Sequence, residues 1–220
     1  MNKILLFVGL LVGSVIFVNA QTKEATNDPA AKAILDKVSA KFKTFKSVQA
    51  NFSLKIEGAN GKVLGNKKGT VYMKGKKYKV DLDDQMILCD GKNTWTYDKS
   101  ANEVQISTVD ADGDMLTPQK LFTDFYDKDF LYKLNGEKAV NGKTIQEIEM
   151  TPVDKSKSFF KVLVLVDKAS QTISSATVME KNGNRFSYGV TSLNGNANLS
   201  DAVFVFDKSK YPDVEVVDLR

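Results

Sequence analysis

Between Val48 and Ile56 apolar and polar residues alternate one for one: Val48, Ala50, Phe52, Leu54 and Ile56 against Gln49, Asn51, Ser53 and Lys55. A period of two is that of a strand with one wet face. The alternation continues through Val71 and Met73, through Tyr78, Val80 and Leu82, and through Met86, Leu88, Trp95 and Tyr97. The last four flank Asp90-Gly91, a pair that tolerates the positive backbone angles of a tight turn, so ILCDGKNTWTYD (residues 87–98) predicts a hairpin with one large apolar face. Turn pairs also stand at Asn60-Gly61, Asn135-Gly136, Asn141-Gly142, Asn182-Gly183 and Asn194-Gly195, and near Gly75, each between strand-like runs. Residues 145–150, 159–166, 173–179 and 185–190 add four strands, and Phe204-Val205-Phe206 reads as a last extended segment before Tyr211-Pro212 and a terminal run of valines. So many hairpin signals imply an antiparallel meander, and without close sequence repeats a propeller is not expected.

Two stretches follow a helical period instead. Asp28 suits an N-cap and Pro29 the first helical position, after which Ile34, Leu35, Val38, Phe42 and Phe45 recur at helical spacing. In the second, Thr117 can cap a helix starting at Pro118 that carries Leu121, Phe122, Phe125 and Tyr126. The large apolar faces of the sheet need a cover. These helices supply one, as plugs of an ordinary core or as a lid over a cavity.

The first twenty residues read as an export signal: a cationic start at Lys3, an apolar core over residues 4–18, and a cleavage site after Ala20. No cysteine follows that site to carry a lipoprotein anchor. Residues 21–220 then form a single domain large enough to bury its own core. Cys89 is the only cysteine, so no internal disulfide forms, and its place in a strand suits a buried inert thiol.

The chain has no histidine. That removes imidazole-based serine or cysteine catalysis and His-built zinc sites. Asp81, Asp83 and Asp84 sit at a strand end, and Asp110, Asp112 and Asp114 lack the closing glutamate of a calcium loop because its position falls on Leu121. No catalytic residue, metal or cofactor is expected. Without Lys3 the net charge is about +3 against 26% charged residues, and Lys67, Lys68, Lys74, Lys76, Lys77 and Lys79 are scattered, which does not support nucleic-acid binding. They suit the solvated face of a half-buried sheet. An outer-membrane barrel would put apolar residues outward, where Lys55, Lys74, Lys77 and Lys79 fall here.

The order of VQANFSLKI (residues 48–56), KGTVYMK (68–74), the ILCDGKNTWTYD hairpin, LTPQKLF (116–122), IEMTP (148–152) and FVFDKSKYPDVEVV (204–217) resembles the periplasmic outer-membrane lipoprotein carriers, the LolA-like family. The resemblance implies a mainly β (α+β) fold: an incomplete antiparallel β-barrel whose concave face bears a helical lid over a hydrophobic cavity. It also implies a periplasmic monomer that takes acylated lipoproteins from an inner-membrane ABC transporter and hands them to an outer-membrane acceptor. On that basis Phe52, Leu54, Val71, Met73, Tyr78, Val80, Met86, Leu88 and Trp95 are expected to line the cavity. Leu35, Phe42, Phe45, Leu121, Phe122 and Phe125 are expected to face them from the lid. The family's arginine and proline after the strand ending at Lys74 are absent, which makes Lys74 or Lys76 the available substitute in closing the lid. A lipid- or glycolipid-binding or envelope-stress-sensing module of the same fold fits the same residues.

Overall fold

The computed structural model describes residues 27–109 and 126–220. The expected leader, the acidic loop 110–114, and Leu121, Phe122 and Phe125 lie outside these residues.

Alternation becomes strands where it was read. The elements are α1 (Pro29–Lys43), β1 (Val48–Glu57), β2 (Val63–Lys74), β3 (Lys77–Leu82), β4 (Gln85–Cys89), β5 (Asn93–Asp98), β6 (Glu103–Thr108), α2 (Tyr126–Asp129), β7 (Phe130–Val140), β8 (Lys143–Pro152), β9 (Phe159–Asp167), β10 (Thr172–Glu180), β11 (Arg185–Asn194) and β12 (Glu215–Asp218). They form one open sheet in the order β12-β6-β5-β4-β3-β2-β1-β11-β10-β9-β8-β7. Every pairing is antiparallel except β12 with β6, which is parallel and departs from the expected pure meander.

The turn chemistry explains the hairpins. Asn141 and Gly142 both adopt positive φ, as a type I′ turn requires, and Gly61, Gly91 and Gly183 do so at theirs. Asp90 braces its own turn, its Oδ1 accepting from the amides of Lys92 at 2.8 Å and Asn93 at 2.7 Å. Two expected hairpin turns do not connect hairpins. Asn135-Gly136 lies inside β7, where the register against β8 shifts between Leu134 and Gly136; a positive-φ glycine serves there as a bulge. Asn194-Gly195 ends β11 without starting a hairpin, and the next residue, Asn196, bridges to Ser47 in parallel.

Helix α1 begins as its sequence predicts, with Asp28 accepting from the Ala30 amide at 2.8 Å and Pro29 following. The same aspartate accepts from the Leu134 amide at 3.0 Å, Asn27 accepts from the Tyr132 amide at 3.0 Å, and the Asp28 amide donates to the Tyr132 carbonyl at 3.1 Å. These bonds occupy outward-facing backbone groups of β7, which would otherwise be an open sheet edge. Leu35 and Val38 then pack with Tyr132, Ile148, Met150, Val162, Val164 and Val166 in one core on the face that the helix covers.

The C-terminal stretch does not extend as expected. Residues Asp201–Phe204 form a 3₁₀ turn and Phe204 is fully buried. Phe206, Tyr211 and Val214 pack across strands instead of pairing beside them, while Val205 is exposed.

Candidate functional site

Cross-strand register decides which side chains share a face, because neighbours along a strand point to opposite sides and directly paired residues to the same side. One row runs Val48, Met73, Tyr78, Cys89, Thr94, Ser107 from β1 to β6. The next runs Ala50, Val71, Val80, Ile87, Thr96, Gln105. Both lie on the face that α1 covers, since Phe42 and Phe45 pack with Val48, Val71, Met73 and Tyr78.

Six of the nine expected lining residues are on this face. Leu54, Val71, Met73 and Tyr78 are buried, and Phe52 and Val80 are half-buried. Phe52 meets Leu82 above Gly69, where a Cβ would come within 2.7 Å of the Phe52 ring and 2.9 Å of Leu82. Burial pushes the Tyr78 phenol up to about 12, with the nearby Cys89 adding to the shift. Cys89 is 2% exposed and its thiol is likewise raised by burial.

The other three are on the opposite, outer face. Leu88 pairs Lys79 on one side and Trp95 on the other, and Met86 pairs Asp81 and Tyr97. This face has its own cover, in which Phe206, Tyr211 and Val214 pack on Met86, Leu88, Trp95, Tyr97 and Val104. Tyr97 lies 4.7 Å from Tyr211 and 5.3 Å from Phe206, ring centre to ring centre. Of the nine residues expected on one wall, six therefore share the helix-covered face and three do not. The hairpin's large apolar face is closed by the protein's own C-terminal segment.

Lys74 belongs to the same closure. Its Nζ donates to Asp201 Oδ1 at 2.9 Å and to the Leu199 carbonyl at 3.1 Å, while Lys77 reaches Asp201 Oδ2 at 2.8 Å. The hydrogen bonds from Lys77 and Lys74, with the two charges adding to them, pull the Asp201 carboxyl down to about 2. Lys74 thus fastens the C-terminal segment to the outer face and does not reach the helix.

The expected lid residues divide as well. Leu35 is buried over β7 to β10, whereas Phe42 and Phe45 sit half-buried over β1 to β3, 6.1 Å apart edge to face. Ile87, Leu82 and, on β11, Val190 and Leu193 also stand on the helix-covered face; none is among the expected lining residues, although the alternation includes Leu82. For Ile87 a signal existed: Met86 to Cys89 is an unbroken apolar run, the mark of a strand buried on both sides.

Among the described residues no group of three or more acidic or thiol side chains is placed to hold a metal, and no helix is long and apolar enough to cross a membrane. A sheet with a helix over its apolar face and no reactive cluster can bind by burial.

One solved structure shares this architecture, and others are similar to it more distantly. An uncharacterised conserved protein from Thermus thermophilus superposes with a TM-score of 0.58 at 15% identity, over 86% of this chain and 99% of that one. The Mycobacterium tuberculosis lipoprotein LppX matches at 0.48 and 14% identity, over 79% and 100%. A LolA superfamily protein from Nitrosomonas europaea matches at 0.44 and 16%, over 80% and 98%. No curated protein matches the sequence. The family model described as outer membrane lipoprotein carrier protein LolA matches residues 43–207, and with more than half of its length so matched the chain belongs to the LolA family.

Proposed function

We propose that the protein is an exported, non-enzymatic carrier that shields the acyl chains of lipoproteins between the inner and outer membranes, receiving them from an ABC transporter and passing them to an outer-membrane acceptor. The supporting observation is the contrast between the two faces of the same strands. On the outer face the chain closes over Met86, Leu88 and Trp95, while on the helix-covered face Phe52, Val80, Leu82 and Ile87 remain half-buried. Each methylene removed from water is worth about 0.8 kcal/mol, so one sixteen-carbon chain left in water costs on the order of 12 kcal/mol. Half-buried apolar side chains, with Met73 and the aromatic Phe42 and Phe45 beside them, offer adaptable contact that offsets this without locking the chain in place. Membership of the LolA family supports the choice of acyl cargo.

The test is release of newly acylated lipoprotein from inner-membrane vesicles containing an active transporter. The mature protein should bring lipoprotein into the soluble fraction, and Val80→Glu should abolish this while leaving the fold intact. Absence of release by the unaltered protein with competent vesicles sinks the carrier reading.

A further inference from the structure

Along the two rows of the helix-covered face the chemistry changes sharply at β5. Val48, Met73, Tyr78 and Cys89 give way to Thr94 and Ser107, and Ala50, Val71, Val80 and Ile87 give way to Thr96 and Gln105. The large apolar residues of β5 and β6, namely Trp95, Tyr97, Val104 and Ile106, have all gone to the outer face. What they leave behind is a strip of neutral hydroxyls and one amide at the end of an apolar wall.

The strip is only partly occupied by its own hydrogen bonds. Thr94 Oγ1 and Ser107 Oγ lie 2.7 Å apart, and Gln105 donates to Glu103 Oε1 at 3.0 Å. Thr96 is half-buried beside Ile87, and its hydroxyl has no partner among the described residues. No cation stands in either row. The next row along the strands instead sets Asp98 opposite Glu103, two carboxylates facing each other on the same side.

The geometry points to an amphipathic site: acyl chains on β1 to β4, and the uncharged ester or amide head of the ligand over β5 and β6, where Thr96 and one hydroxyl of the Thr94–Ser107 pair donate to its carbonyl oxygens. Among the described residues an anionic head meets no cation in these two rows and two carboxylates in the next, so neutral acyl lipids are selected over acidic ones of the same chain length. This rests on the carrier reading and adds to it the chemistry of the head group and the residues that read it.

The probes are dioctanoylglycerol and dioctanoyl phosphatidic acid, which share their chains, competing against the uncharged fluorophore N-phenyl-1-naphthylamine. The unaltered protein should be emptied of fluorophore by the glycerol lipid at a concentration at least tenfold lower than by the phosphatidic acid. Thr96→Val should raise that concentration about fivefold, the loss of one net hydrogen bond, with fluorophore affinity unchanged as proof of an intact wall. Thr94→Val with Ser107→Ala should act in the same direction. Equal displacement by the two lipids, or an undiminished preference in both variants, overturns the inference while fluorophore binding upholds the apolar site. Failure of fluorophore and both lipids to bind overturns the inference together with the carrier reading.

Discussion

Replacing Trp95 with alanine separates the two faces of the sheet. Trp95 is 9% exposed, pairs Leu88 and Ile106 across β4 and β6, and belongs to the cluster capped by Phe206, Tyr211 and Val214. Truncating so large a buried ring costs about 3–5 kcal/mol, from lost burial and from the cavity left behind. A domain of this size has a total stability on the order of 10 kcal/mol or somewhat more, so the variant should fold but with a much reduced margin. With a urea dependence of about 2 kcal/mol per molar, the unfolding midpoint followed by far-ultraviolet circular dichroism should fall by about 1.5–2.5 M at unchanged slope. Binding of N-phenyl-1-naphthylamine, measured well below that midpoint, should stay within about twofold, because the ring lies across the sheet from Val80 and Ile87. A variant with an unchanged midpoint and a tenfold loss of probe affinity would refute the assignment of this face.

Three further outcomes follow from single contacts. Gly69→Ala should destabilise by about 1–3 kcal/mol in the same urea experiment, because the new methyl would stand 2.8 Å from the Asp81 carbonyl oxygen, a backbone atom that cannot turn aside. Asp201 has its carboxyl held near 2 in the folded protein against an ordinary 3.8, so its contribution is complete above pH 3.8 and disappears as the pH falls toward 2. An acid titration of Trp95 fluorescence should show the outer cover loosening in that window, with the step reduced in Asp201→Asn and in high salt, where exposed pairs are screened. Cys89 should resist a thiol reagent at pH 8 in the native protein and react fully in denaturant, and fast native labelling would contradict its burial.

The strands and the first helix were legible because each rests on a local signal. Val48 to Ile56 alternates, Asp28-Pro29 starts a helix, and Asn141-Gly142 demands a type I′ turn. Which way an alternating face points is not local. Met86, Leu88, Trp95 and Tyr97 do share a face, as the hairpin predicts, but only the ladder to Lys79 and Asp81 reveals that it is the side away from α1. Tyr78 and Val80, equally apolar and equally spaced, fall on the other side one residue out of step. The cover was illegible for a different reason. Phe206, Tyr211 and Val214 follow neither the helical nor the strand period, since irregular backbone sets their directions, so their sequence carries no sign that they close a face more than a hundred residues away.

The described contacts that hold α1 begin at its N-terminus, where Asn27 and Asp28 bond the β7 edge. They continue one turn on, where Lys32 reaches Asp36 at 3.0 Å and Asp127 at 3.1 Å, Tyr126 donates to Asp36 and Tyr132 to Asp127. These contacts fix the helix over β7 to β10, on the half of the sheet where the core is closed. At its other end Phe42 and Phe45 lie over β1 to β3 by apolar packing, which is non-directional and yields to a competing acyl chain at little cost. Lys74 has no described part in this, because β2 presents it to the outer face and Asp201 takes it up. The described polar contacts thus hold the N-terminal part of the helix on one half of the sheet, while Phe42 and Phe45 bring apolar packing to the other half, beside the proposed acyl site.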